Sequence, residues 1–148
     1  MFKYQSEIEA LNDCAIICPP TNIYPFQGLL FRYVHNSECE NSRNNNLPVK
    51  KKSPNRMIDN DDFRCLAVAS LSCFDTYEQA LEFFEHKLIG YPNIAATLGC
   101  CIGQFVVNDE HGARTESNVK GHFSFFEYED MNLESLCETI TNIAKCNP

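Results

Sequence analysis

The sequence predicts a single-domain α+β fold, built on a mixed, largely antiparallel sheet with about three flanking helices. The chain has 148 residues, a length typical of one domain. Apolar residues make up 44% and charged residues 22%, which are ordinary globular values. Too few helical patterns alternate with strand patterns for a doubly wound parallel sheet. No internal repeat or second apolar core divides the chain, so residues 1–148 are interpreted as one domain.

The N-terminal part of the chain predicts one helix and one strand. Ser6 and Glu9 have the spacing of a capping box, and apolar residues then recur at helical spacing over 6–17. Pro19 ends this helix because proline cannot continue it. Residues 28–35 are rich in β-branched and aromatic side chains and predict a strand.

Residues 36–62 predict a long polar surface loop or a disordered insertion. The segment holds few apolar residues, and its asparagines, lysines and aspartates surround Pro48 and Pro54. The run 50–52 consists of three lysines, which resembles a minimal nucleic-acid patch. Nearby acidic residues cancel its charge, so a solvated loop is the favoured interpretation.

The remaining elements follow from apolar patterns. Residues 63–74 form an apolar run of strand length, and 75–88 form an amphipathic helix with a capping-box start. Residues 98–107 predict a buried strand, and 113–116 predict a short strand that pairs back after a turn. The last two predicted elements are an aromatic strand over 121–129 and an amphipathic helix over 133–144.

The net charge of −8 is concentrated in the C-terminal part of the chain. Residues 63–148 carry five basic and twelve acidic side chains, whereas 36–62 carry five of each. This field repels phosphate backbones and anionic membrane surfaces, so neither nucleic acid nor membrane is an expected partner. It would attract a basic protein partner.

The nine cysteines indicate a reducing compartment. Most of them lie inside apolar patterns, where a reduced cysteine behaves as a small hydrophobe. Cys14 and Cys18 have a spacing that two zinc ligands could use, but no matching second pair follows, so no metal site is predicted. There is no secretory signal and no apolar run long enough to cross a bilayer, which predicts a soluble cytoplasmic protein.

Standard nucleotide-binding and hydrolase motifs are absent, but three groups of residues together suggest a site for a phosphorylated nucleotide. Arg32 lies within an apolar strand, where its charge must reach water, a carboxylate or a bound anion. Ser70 and Ser72 share one face at the end of the next strand, and Glu127 and Glu129 share a face at the end of the last one. Arginine binds phosphate in a bidentate manner, and a carboxylate can stabilise a developing oxocarbenium ion.

Each of these groups also has a structural interpretation. Arg32 would form an ion pair with an acidic residue, the serines would be strand-end hydroxyls, and the glutamates would form a solvated strand face. Among the four histidines, His122 directly precedes the aromatic strand and is the best functional candidate. The alternative is a hydrogen-bonded structural histidine.

In order and context, these residues resemble the arginine–serine–glutamate class of ADP-ribosyltransferase-like folds. The resemblance is carried by Arg32, Ser70-Leu71-Ser72 and Glu127-Tyr128-Glu129, with Leu71 where that family commonly has threonine. It implies that Arg32 holds the NAD pyrophosphate, that the two serines shape the nicotinamide pocket, and that Glu129 is the catalytic carboxylate.

Two functions of different classes follow. The first is an NAD-binding or NAD-consuming enzyme, a transferase or glycohydrolase. Its catalytic residues would be Glu129 and Glu127, its cofactor-binding residues Arg32, Ser70, Ser72 and His122, and NAD its substrate rather than a resident cofactor. The alternative is a non-catalytic module, similar in composition to immunity proteins and antitoxins, that binds a basic partner through its acidic surface.

Overall fold

The computed structural model describes residues 1–145 and is centred on one antiparallel sheet. Its strands are β1 (Tyr24–Pro25), β2 (Gly28–Val34), β3 (Leu71–Phe74), β4 (Cys101–Val107), β5 (Gly112–Arg114), β6 (His122–Glu127) and β7 (Cys137–Asn142). They are arranged in the order β1-β5-β6-β3-β2-β4-β7, and every neighbouring pair is antiparallel.

Five α-helices accompany the sheet in the described part of the chain. They are α1 (Gln5–Asp13), α2 (Val49–Lys52), α3 (Asp61–Ala69), α4 (Tyr77–Gly90) and α5 (Ile94–Leu98), with short 3-10 helices at Glu40–Asn44 and Leu133–Leu136. The predicted α+β class with an antiparallel sheet is therefore confirmed. There are more helices than the three expected, because α2 and α5 are too short to give an apolar period.

The apolar run 63–74 was predicted as one strand, and this is wrong for most of its length. The structure places α3 there, followed by the short strand β3. Asn60 begins the helix, since its side-chain oxygen accepts hydrogen bonds from the backbone N–H groups of Asp62 and Phe63. An apolar run of this length fits a buried helix as well as a buried strand, and the N-cap decides between them.

The predicted helix over 133–144 is also wrong. Asn132 caps only the 3-10 turn Leu133–Leu136, and the chain then continues as β7 along β4. The segment around Thr139 and Ile140 is rich in β-branched residues, which fit a strand better than a helix. Pairing with the open edge of β4 outweighs the weak helical stripe.

The polar segment 36–62, predicted as a loop or insertion, is mostly irregular but carries defined contacts. The 3-10 helix Glu40–Asn44 and helix α2 lie within it. Lys51 forms a 2.8 Å ion pair with Glu7 of α1. Asn45 binds the backbone of His35 through both ends of its amide. These contacts hold the segment against the sheet and α1.

Apolar residues of both sheet faces form the core. Helix α4 covers one face, where Ala80 packs with Phe31, Phe74 and Ile102, and Phe84 packs against Tyr33. Helices α1 and α3 pack around Phe126 of β6. The opposite face contributes the largest buried cluster: Leu30, Val34, Leu71, Cys73, Cys100, Cys101, Phe105, Val107, Phe123, Phe125, Met131 and Leu133.

Cysteines in the described part of the chain depart from the expectation of reduced thiols. Cys18 and Cys65 form a disulfide that joins the segment after α1 to α3. Their separation of 47 residues hid the pair in the sequence, because each cysteine lies in a separate apolar pattern. Among the helices of residues 1–145, none combines the length and apolar character needed to span a bilayer.

Candidate functional site

A cavity of about 400 Å³ lies between the sheet and helices α2, α4 and α5. Its volume is within the ~300–1,000 Å³ typical of small-molecule sites. Four predicted site residues line it: Arg32, Ser70, Ser72 and His122. The structure thus brings together residues from β2, the start of β3 and β6 that are far apart in the sequence.

Arg32 reaches the cavity because β2 and β3 separate beside it. The two strands pair only at Phe31 and Phe74, whereas β2 and β4 pair along the whole length of β2. If the pairing of β2 with β3 continued beyond Phe31 and Phe74, Tyr33 would lie opposite Ser72. Instead the Arg32 Nη1 group donates a 2.7 Å hydrogen bond to the Ser72 carbonyl oxygen. The guanidinium therefore replaces the missing backbone pairing.

The Arg32 guanidinium is buried without a carboxylate partner. The residue is 6% exposed, and its Nε group donates a 3.1 Å hydrogen bond to the Asn46 side-chain oxygen. It also contacts the buried Cys73 thiol, whose pKa burial raises to about 11. Within residues 1–145 no acidic side chain lies within 4.0 Å of Arg32, and its Nη2 group has no oxygen acceptor. A buried cation so placed is suited to a bound anion.

Two lysines add to the positive charge of the cavity. Lys52 comes from α2 and Lys87 from α4, and both line the cavity with Arg32. Desolvation and the nearby Arg32 charge lower the pKa of Lys52, although much of its side chain is exposed. No aspartate or glutamate is among the described lining residues. This is a locally positive site on a chain of net charge −8.

Aromatic rings form an apolar wall beside these cations. Tyr33, Phe74, Phe83 and Tyr91 all line the cavity. The Lys87 ammonium lies 5.3 Å from the Phe83 ring centre and 5.9 Å from that of Tyr91. The Tyr33 hydroxyl donates to the Ala80 carbonyl oxygen, which fixes its ring below α4. Such rings can stack on a nucleobase or pack against another flat apolar group.

The two predicted serines differ in what their hydroxyls do. Ser70 is buried after α3, and its Oγ donates a 2.8 Å hydrogen bond to the Leu66 carbonyl oxygen. Ser72 is exposed to the cavity, and its Oγ is hydrogen-bonded to His122 Nε2. The Ser70 hydroxyl is therefore used within the cavity wall, whereas the Ser72 hydroxyl is exposed to the cavity and paired with a histidine.

His122 is held in place at the start of β6. Its backbone N–H donates to the Asn118 side-chain oxygen at 3.0 Å, and its ring lies edge-on to Phe74 with centres 5.4 Å apart. Gly121 precedes it with φ +78, a conformation that favours glycine, and a Cβ there would meet Gln79. Burial lowers the pKa of the His122 imidazole.

Glu127 does not line the cavity. It is 2% exposed at the end of β6, where its Oε2 atom lies 3.3 Å from the Lys3 ammonium. Its Oε1 atom is buried without a hydrogen-bond partner. Burial raises the pKa of the Glu127 carboxyl, while Lys3 and Arg32 act in the opposite direction. Among the described residues, the ion-pair partner of Glu127 is Lys3, and its side chain does not lie in the cavity that Ser72 lines.

Glu129 lies beyond the end of β6 and is exposed. Its backbone N–H donates to the Met1 carbonyl oxygen at 2.8 Å. The side chain is not among those that line the cavity. Ser72 and His122 therefore meet at the cavity wall and Arg32 lines the same cavity, whereas both glutamates of the predicted Glu-x-Glu element lie outside its lining.

Sequence reasoning missed Lys52, Lys87 and Asn46 as site residues. The lysine run at 50–52 is visible in the sequence, but only the fold shows that Lys52 turns to the cavity. Lys87 carries a usable signal, because it is the only lysine or arginine of α4, a helix that also carries three glutamates. Asn46 carries no such sequence signal, since asparagines are common throughout its segment.

In the described part of the chain, no cluster of three or more histidine, cysteine or acidic side chains could hold a metal ion. Comparisons of the chain with protein-family models, with curated proteins and with solved structures find no match. A proposal for its function therefore depends on the geometry of the cavity.

Proposed function

We propose that the cavity binds a phosphorylated nucleotide, with NAD and ADP as the first ligands to test. The observation that carries the proposal is the charge of the lining: Arg32, Lys52 and Lys87 line one cavity, with no carboxylate among the described lining residues. Phosphate oxygens would satisfy the open donors of Arg32 and offset its desolvation.

The aromatic wall supports a nucleotide over a free inorganic anion. A phosphate alone would contact the cations but not the faces of Tyr33, Phe83 and Tyr91 that line the cavity. A base or nicotinamide ring stacked on these side chains would bury apolar area while its phosphates contact the cations.

The proposal concerns binding rather than consumption of NAD. Cleavage of the nicotinamide bond by the mechanism of the resembled family needs a carboxylate at the ribose. Glu127 is buried against Lys3, and Glu129 is exposed outside the cavity. Both lie outside the cavity lining.

Calorimetric titration with NAD, ADP and adenosine tests this proposal. NAD and ADP should bind, and adenosine should bind at least tenfold more weakly because it lacks the phosphates. Arg32→Met should weaken ADP binding at least tenfold. Arg64→Met is the matched control, since it removes an exposed arginine whose ion-pair partner among the described residues is Asp61. Its affinity for ADP should equal that of the unaltered protein.

Two results would overturn the proposal. Equal affinity for adenosine and ADP would remove the role of the cations, and absence of binding by all three ligands would remove the site. In the second case, capture of a basic protein partner by the acidic surface becomes the hypothesis to test. Nicotinamide release, measured with Glu129→Gln as control, should be absent from the unaltered protein.

A further inference from the structure

Ser72 and His122 form a pair that nucleotide binding does not require. In the β3–β6 ladder, Ser72 pairs with Ser124 and Phe74 pairs with His122. Ser72 and His122 are therefore diagonal neighbours on the same face of two adjacent strands. Their side chains meet through the Oγ–Nε2 hydrogen bond at the wall of the cavity.

The surroundings of His122 favour a neutral imidazole. Burial lowers its pKa from an ordinary value that is already below 7. In the tautomer with its proton on Nδ1, the Nε2 atom accepts the hydrogen bond and Ser72 donates it. A hydroxyl that donates to a neutral histidine has the arrangement of an activated nucleophile and its base.

We propose that Ser72 is a nucleophile, that His122 is its general base, and that the cavity accepts an ester whose acyl part carries a carboxylate or phosphate. The anionic part would contact Arg32 and Lys52, and in this respect the inference rests on the proposed anion site. Among residues 1–145, the Nδ1 atom of His122 has no hydrogen-bond partner that would orient it. This favours an activated ester over an amide as the substrate class, because an unsupported histidine is a weaker base.

The reaction proceeds in two balanced stages. Ser72 Oγ attacks the ester carbonyl carbon while His122 Nε2 takes the hydroxyl proton. The tetrahedral intermediate then collapses, the bond to the leaving alcohol breaks, and the alcohol takes the proton from His122. Water attacks the resulting acyl-serine in the same way, which releases the acid and restores Ser72. The net positive lining of the cavity favours the negative charge of the intermediate.

Covalent labelling with diisopropyl fluorophosphate, read by intact mass and peptide mapping, tests the pair directly. The full chain should gain one adduct, located on Ser72. Ser72→Ala should give none, and His122→Gln should label at least tenfold more slowly. Ser6→Ala is the matched control, because that exposed serine is hydrogen-bonded to Glu7 instead of a histidine. Its labelling should equal that of the unaltered protein, and circular dichroism should confirm that every variant is folded.

A substrate pair tests the anionic part of the inference. Hydrolysis of 4-nitrophenyl hydrogen succinate should exceed that of 4-nitrophenyl acetate at least tenfold in kcat/KM, and Arg32→Met should abolish this preference. Labelling at another serine, no adduct, or equal labelling of His122→Gln would overturn the nucleophile–base pair. If ADP binds but Ser72 is not labelled, only this inference fails. If Ser72 is labelled but ADP does not bind and the anionic ester is not preferred, the anion site fails and the pair stands.

Discussion

Arg32 and Arg114 are both 6% exposed and both belong to the same sheet, but the groups that surround their buried charges differ. Arg114, at the end of β5, forms a 3.1 Å ion pair with Asp75. Its other nitrogens donate to the Thr115 carbonyl oxygen and the Ser117 hydroxyl. The guanidinium carbon lies 3.6 Å from the centre of the Phe123 ring. Every part of this side chain has a partner from the protein.

Arg32 has no such set of partners. Its two oxygen acceptors, the Ser72 carbonyl and the Asn46 amide, are neutral. Arg32 lines a cavity that two lysines also line. The comparison shows that burial of an arginine does not by itself indicate structure or function. A carboxylate partner marks the structural arginine, and its absence beside a cavity marks the candidate for ligand binding.

The largest expected effect on stability comes from Arg114→Met. The change breaks the ion pair with Asp75 and two further hydrogen bonds. It should lower the free energy of unfolding by about 2–3 kcal/mol, somewhat less than for a fully buried pair because Asp75 is partly exposed. Urea denaturation measures this loss. Arg64→Met, which removes an exposed i,i+3 pair, should change stability by less than about 0.5 kcal/mol. Equal stability of both variants would contradict the structural role of Arg114.

Glu127 extends the comparison to a buried acid, and Glu127→Gln should change the pH dependence of stability. Burial raises the pKa of Glu127 in the folded state above its ordinary value of 4.5. The folded state therefore binds more protons than the unfolded state between those two pKa values. Stability contributed by this group is complete below the ordinary pKa and is lost as pH rises through the raised one.

Urea denaturation at pH 4.5, 6 and 7.5 measures this difference. One proton changes the slope by at most about 1.4 kcal/mol per pH unit, and the glutamine variant should have the flatter profile. It should also be at least as stable as the unaltered protein at pH 7.5, because the amide buries no charge. Lys3→Met should act in the opposite direction at that pH, since it removes the only ion-pair partner of Glu127 in the described residues. An unchanged slope in Glu127→Gln would contradict the raised pKa.

Local signals predicted some elements well and failed where tertiary contacts decide. Helix α4 was predicted from its capping-box spacing and from apolar residues that repeat at helical spacing, and in the structure the Thr76 side chain accepts a hydrogen bond from the Gln79 N–H. The strand predicted over 63–74 failed because the N-cap at Asn60 lies outside the apolar run. The helix predicted over 133–144 failed because β7 pairs with β4, a contact that no local pattern encodes.

The candidate site shows the same division. A charge within the apolar strand β2 was enough to predict that Arg32 needs a carboxylate, water or an anion. The pairing of Ser72 with His122 depends on the register of β3 and β6, which the sequence does not specify. The contribution of Lys52 depends on how the irregular segment 36–62 folds back over the sheet. The residue types were therefore enough to predict the kind of site. The contact partners of each residue could be identified only from the folded structure.

The smallest expected change in stability is the most informative one. Arg32→Met removes two hydrogen bonds from a charged donor, each contributing roughly 1.5–3 kcal/mol. It also removes the cost of keeping a cation out of water without an ion-pair partner, which is several kcal/mol. A smaller loss comes from the charge interaction with Glu127, whose pKa Arg32 lowers less than Lys3 does. The opposing terms nearly cancel, so the free energy of unfolding should change by less than about 1 kcal/mol in urea denaturation without ligand. A loss as large as that of Arg114→Met would show that Arg32 is held for stability and would remove the main support for an anion site. Little change in stability, together with lost ADP binding, would separate the two arginines by role.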